Sequence, residues 1–360
     1  MSTEITCREF FDGDQLHQAK TIGFDAHGFV TEIEDFTGSP DFPLVAPGFV
    51  DLQMNGFDDV NVATATAPEL TRLDALLLSH GTTSWLGTVV TAPLERLTTT
   101  LQTLQTIHAS SEVQGFLGVH LEGPFLGNAP GAHHVKWIVA CDLEWVAHLP
   151  ASVRLITVAP EQDLVMQAIP LLRKMGITVS VGHSRPTHEE FDAAIEAGAS
   201  MTTHLFNGMS GIHHRDGGLA LWTLTHSSQR FGLIADMVHV QPEAVSLAFN
   251  SAANRLCLVS DSVAWDSKDP GRSSTHIVDG APRLPNGTLA GSSTPLGACV
   301  RNVVHQCGVS LQKALASATS IPADTIGLAD FGRIRLGHQA DVLALDSDLS
   351  VLNAWRRLPS

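Results

Sequence analysis

The sequence predicts an α/β protein: a (β/α)8 TIM-like barrel with a small β-sandwich domain formed from both termini. Three observations carry this expectation. Eight short apolar runs alternate with amphipathic stretches through the middle of the chain, the pattern of a parallel sheet wrapped by helices. The two ends break that rhythm with short alternating stretches, GFVTEIEDF near the start and GRIRLGHQADVLALDSD near the end. The composition, 44% hydrophobic and 16% charged over 360 residues, is enough to fill a large core. The expected division is 1–46 with 332–360 for the β-sandwich and 47–331 for the barrel.

In chain order, strands are expected at Phe49 to Gln53, Thr82 to Thr88, Gly115 to His120, Arg154 to Val158, Ile177 to Gly182, Ser200 to His204, Gly232 to Asp236 and Leu256 to Asp261. Helical spacing of apolar residues fills most of the gaps, at Pro68 to Ser79, Pro93 to Ser110, Leu164 to Met175, Thr187 to Ala197 and Pro242 to Asn254. Thr187 followed by Glu190 reads as a capping box.

The bulk numbers exclude several classes. A formal charge of -16 disfavours nucleic acid or membrane surfaces as partners, since both select a basic face. No apolar run reaches the length of a membrane span. The start, MSTEITCREFFDGD, has early acids and no apolar h-region, so no signal peptide is expected. Five cysteines without a C-x-x-C predict free thiols and a cytoplasmic protein.

The chemistry gathers at the carboxyl ends of the predicted strands, where barrels of this kind place functional groups. HLEGP ends a strand with His120 and Glu122, VGHS with His183, TTHLFN with His204, and LVSD with Asp261; IADMVH leads to His239. A single histidine at a strand end is more often a hydrogen-bonded structural residue. Several such ends on one rim point instead to a site. Two imidazoles and a carboxylate suit a borderline divalent cation such as zinc and leave a position open for water. Glu122 would then be a ligand, its buried charge matched by the metal.

These motifs, with PGFVDLQMNG and THLFNGM, resemble those of the N-acetylglucosamine-6-phosphate deacetylases, members of the amidohydrolase superfamily. The resemblance runs from about Pro47 to Asp346. It implies Glu122, His183 and His204 as ligands of one divalent metal per subunit, zinc by ligand type, with iron, cobalt or manganese as alternatives. It implies Asp261 as the catalytic acid–base and His133, beside the adjacent His134, as the group stabilising the oxyanion. Asn207, the N–H of Gly208 and Arg215 match phosphate-contacting positions, and His239 and Leu289, Ala290 and Gly291 match further substrate contacts. Many amidohydrolases carry H-x-H in the first strand to feed a second metal. Gln53 and Asn55 occupy those positions here, and amides are weak zinc ligands. No lysine follows the fourth strand in RLITVAPEQD, so a single metal is expected, with Gln53 near its water. The resemblance further implies a phosphorylated amino-sugar substrate and a homodimer. The competing expectations are the galactosamine epimer or another N-acyl substrate, and a barrel without catalysis used as a scaffold.

Overall fold

The computed structural model describes residues 3–265 and 276–356. The outermost parts of the expected terminal unit, 1–2 and 357–360, and barrel residues 266–275 lie outside the described residues. Eight strands form one parallel sheet in sequential order: β1 (Phe49–Met54), β2 (Thr82–Val90), β3 (Phe116–Glu122), β4 (Val153–Val158), β5 (Thr178–Val181), β6 (Met201–Thr202), β7 (Arg230–Ile234) and β8 (Leu256–Val259). The tail of β8 closes the barrel onto β1. Asp261 N–H donates to the Gln53 carbonyl at 2.9 Å and Asn55 N–H to the Ser262 carbonyl at 2.8 Å.

Burial on both faces explains the near-continuous apolar strands. Val50, Leu52, Leu86, Leu155, Met201, Ile234, Cys257 and Val259 fill the barrel interior, with Ala323 and Ile326 beneath. The outer faces pack against helices. In Ala67–Ser79, Leu70, Leu73 and Leu77 line the buried stripe, and in Leu94–Ser110 it is Leu97, Leu101 and Leu104. The capping box at Thr187 forms as expected: the Thr187 N–H donates to the Glu190 carboxylate at 2.7 Å and the Glu190 N–H to the Thr187 hydroxyl at 3.2 Å. Helices Leu296–His305, Leu311–Ala318 and Ser320–Thr325 follow β8 and had no counterpart in the sequence reading.

Both chain ends do build a flanking β unit. Its strands, in spatial order Val351–Trp355, Val342–Leu345, Phe42–Pro47, Thr3–Phe11, Leu16–Phe24 and Val30–Asp35, are hydrogen-bonded as one six-stranded sheet. Ile5, Cys7, Phe10, Ile22, Phe24, Val45 and Val342 form a core separate from the barrel's. Phe42–Pro47 runs through Gly48 directly into β1, so the sheet anchors the strand that carries Gln53 and leads into Asn55.

Candidate active site

Four of the strand ends follow one rule. His183, His204, Asp236 and Asp261 each stand two residues beyond the last residue of β5, β6, β7 and β8. The expected strands had included His204, Asp236 and Asp261. Instead His183, His204 and Asp261 have φ of 49°, 26° and 46°, a left-handed conformation that side-chain-bearing residues seldom adopt and that ends the ladder. Such strain recurs where side chains must be aimed; here it turns all three toward the barrel mouth. Glu122 needs no such turn, being the last residue of β3.

The side chains converge on one point. Glu122 Oε1 lies 3.2 Å from His183 Nε2 and 3.1 Å from His204 Nε2, and these nitrogens are 3.1 Å apart. Three ligand atoms held tetrahedrally at zinc distances would be about 3.3 Å apart, so the near-equilateral triangle fits a divalent cation. His183 supports this by its tautomer. Its Nδ1 lies 3.0 Å from the Ala129 carbonyl, so Nδ1 carries the proton and the Nε2 lone pair faces the triangle, the arrangement expected of a metal-bound imidazole. His133 adds a fourth group, with Nε2 3.1 Å from His183 Nε2 and Nδ1 2.9 Å from the Thr91 hydroxyl. Glu122, His133 and His183 lie close enough together to hold an ion.

Electrostatics follows the same geometry. Burial would raise the Glu122 carboxyl, but contact with the His183 and His204 rings and the charge of His133 hold it well below the usual range. His204 is raised: burial opposes its proton, and the hydrogen bond and charge of Glu122 outweigh burial. Asp261 is also raised, first by burial and then by the nearby charge of Glu122. His120, by contrast, lies under the site, with Nε2 2.8 Å from the Thr157 hydroxyl, and burial pushes it down to about 4.

The amides at the H-x-H positions serve the two acids. Gln53 Nε2 donates to Glu122 Oε1 at 3.0 Å, and Asn55 Nδ2 donates to Asp261 Oδ1 at 2.8 Å. His239 is aimed by Asp236, whose Oδ2 lies 2.7 Å from Nδ1. Asp236 is lowered to about 2, because burial, which would raise it, is outweighed by the His239 ring and the N–H groups of Val238 and His239. Glu161 ties two loops together, accepting from the Arg185 N–H at 2.8 Å and the Ser184 hydroxyl at 2.5 Å, with the Asn128 N–H at 3.4 Å. It thereby braces both the turn of His183 and the loop that leads to His133.

A cleft of about 350 Å³ opens over the triangle. Glu122, His133, His183, His204, His239 and Asp261 line it, as do Asn207, Gly208, Leu289, Ala290 and Gly291. Gly208 lacks a side chain for a visible reason: a Cβ there would stand 2.8 Å from His183 Nδ1. Two expected residues are elsewhere. His134 points away from its neighbour and packs on Trp137, ring centroids 4.7 Å apart. Arg215 is exposed on the loop after β6 and does not line the cleft of its own chain. Sequence reasoning missed Thr91, Asp236 and Glu161, and also Arg283, which lines the cleft. Only Asp236 left a signal, an acid at the end of an expected strand.

The chain belongs to the amidohydrolase family, whose profile matches residues 44–359. Among its relatives is the N-acetylglucosamine-6-phosphate deacetylase of Bos taurus, 34% identical over 362 residues, covering 94% of this chain and 87% of the relative. The N-acetylgalactosamine-6-phosphate deacetylase of Escherichia coli O157:H7 is 33% identical over 345 residues, covering 92% of each. The crystal structure of N-acetylglucosamine-6-phosphate deacetylase from Thermotoga maritima superposes with a TM-score of 0.92 at 29% identity, covering 100% of this chain and 99% of that one. Within the amidohydrolases, the chain groups with the deacetylases of N-acetylated amino-sugar 6-phosphates.

Proposed function

We propose that this chain hydrolyses the acetamide of N-acetylglucosamine 6-phosphate, giving glucosamine 6-phosphate and acetate, with one divalent cation, zinc by ligand type, held by Glu122, His183 and His204. The observation that carries this reading is the near-equilateral donor triangle in the same cleft as Asp261, an acid with no cationic side chain bonded to it among the described residues. A bound cation would polarise the acetyl carbonyl and lower the pKa of a water. The residues do the rest. Asp261, oriented by Asn55, takes a proton from the attacking water as the new C–O bond forms. It then delivers that proton to the sugar nitrogen as the C–N bond breaks. A carboxyl raised by burial suits both halves of this exchange. His133, held at Nδ1 by Thr91, presents Nε2–H to the developing oxyanion when it carries a second proton. Gln53 fixes the carboxylate of Glu122 and would stand near a water held by the cation.

Asn207 and the N–H of Gly208 hold the phosphate, and His239, fixed by Asp236, contacts the sugar with Leu289, Ala290 and Gly291. Arg215, exposed on its loop, is available to the cleft of a second copy, which accords with a homodimer. The five cysteines are all free, in keeping with a cytoplasmic setting. Among the described residues no helix is long and apolar enough to cross a membrane. The galactosamine epimer is the second reading, favoured by the similarity to the Escherichia coli enzyme. An acetate-release assay on both epimeric 6-phosphates tests the proposal. Turnover of the glucosamine form is expected, and release from neither would overturn it.

A further inference from the structure

The proposed substrate is a dianion, yet the chain carries a net charge of -16 and its cleft is floored by two carboxylates, Glu122 and Asp261. Coulomb repulsion must be offset locally. Arg283 is the one arginine or lysine lining the cleft among the described residues. It ends the strand Ala281–Arg283, which pairs with His276–Val278, and it bridges to Leu289. This hairpin is bolted to the catalytic strand end. Ala290 N–H donates to the Pro282 carbonyl at 3.0 Å, and Ser292 N–H to the Asp261 carbonyl at 2.8 Å. Gly291 permits the approach, since a Cβ would stand 2.8 Å from that same carbonyl. Arg283 is therefore held in a fixed relation to Asp261.

Arg283 as a residue is half-buried, and among the described residues its Nη1 donates to the Gly287 carbonyl at 2.9 Å. No carboxylate lies within ion-pair distance of it among those residues. Other buried arginines spend their donors inside the fold: Arg333 bonds Asp14 and Asp324, Arg356 bonds Asp74, and Arg255 bonds the carbonyls of Thr223, Leu224 and Gln229. A guanidinium with spare donors on the wall of a cleft is suited to receive an anion.

We infer that Arg283 binds the phosphate of the substrate and is a specificity-determining residue of this chain. The inference rests on the deacetylase reading. Its test measures kcat/KM of the wild type, Arg283→Ala, Arg283→Lys and Arg215→Ala on N-acetylglucosamine 6-phosphate and on the unphosphorylated sugar. The affinity of each protein for inorganic phosphate is measured by calorimetry. Arg283→Ala should lower kcat/KM for the 6-phosphate ~10–10²-fold, lower it far less for the unphosphorylated sugar, and weaken phosphate binding. Arg283→Lys should fall between, keeping charge but losing the fork. Equal losses on both sugars with unchanged phosphate binding would make Arg283 only a brace for Gly287 and overturn the inference. So would a selective loss confined to Arg215→Ala. If the wild type released acetate from neither sugar, the functional reading would fail. Phosphate binding would then decide separately: weaker binding by Arg283→Ala upholds the anion site, and equal binding overturns it.

Discussion

Two buried carboxylates, one at each end of the barrel, show how charge can serve different purposes in one fold. Asp74 lies near the amino ends of β2 and β3. It accepts from Trp85 Nε1 at 2.7 Å and Arg356 Nη2 at 2.7 Å, with Arg356 Nη1 bonded as well and Gly115 N–H at 3.4 Å. Every partner is a donor, so the site is satisfied by the chain itself. Glu122 lies at the carboxyl end of β3, and its surroundings are different in kind. The imidazole nitrogens around it approach one another at 3.1 Å, and His183 turns a lone pair inward. Converging acceptors repel unless a cation sits among them. Complementary pairing marks a structural charge, and convergence of like atoms marks a binding site.

The comparison can be broken by substitution at either end. The largest effect is expected at the mouth. Asp261→Asn should lower kcat about 10²–10⁴-fold, since an amide cannot shuttle the proton, while metal content and thermal unfolding stay near wild type. A variant keeping more than about a third of kcat would remove Asp261 from the acid–base role. At the other end, Asp74→Asn should act on stability. Removing one partner of a buried ion pair costs about 3–5 kcal/mol, read from denaturant unfolding, with kcat of the folded protein little changed. Loss of turnover without loss of stability would contradict the division drawn here. Glu161→Ala should have a smaller effect, of about 10–10²-fold in metal affinity or kcat, as for a residue that supports a ligand from behind. Glu161→Gln should recover part of that loss.

The smallest effect is one of pH. Asp236 sits at about 2 in the fold against an ordinary 3.8. Its contribution to stability is therefore full above about pH 4 and lost as pH falls toward 2. The stability difference between wild type and Asp236→Asn should shrink across that window. A constant difference would show that the His239 contact does not hold the carboxylate charged.

Much of the fold was legible because buried parallel strands read as apolar runs, and because the strand ends carry residues too polar for a core. Glu122, His183, His204 and Asp261 stood out for that reason. What was not legible depends on contacts between distant segments. Asn55 meets Asp261 across 206 positions, and no local pattern records such a pair. His133 and His134 are neighbours in sequence, and only the direction of the loop sends one to Thr91 and the other to Trp137. Arg283 carries no local signal, since its place on the cleft depends on the hairpin's bonds to segments distant in sequence. The left-handed turns at three strand ends left no composition signal, since they are imposed on histidine and aspartate by the site.

The central claim is that the converging donors hold one divalent cation on which turnover depends. Elemental analysis of protein purified without chelator, paired with acetate release before and after metal removal, tests it most directly. One divalent metal per chain is predicted, with activity lost on removal and restored by adding the metal back. Two metals per chain at full occupancy, or full turnover by metal-free protein, would contradict it.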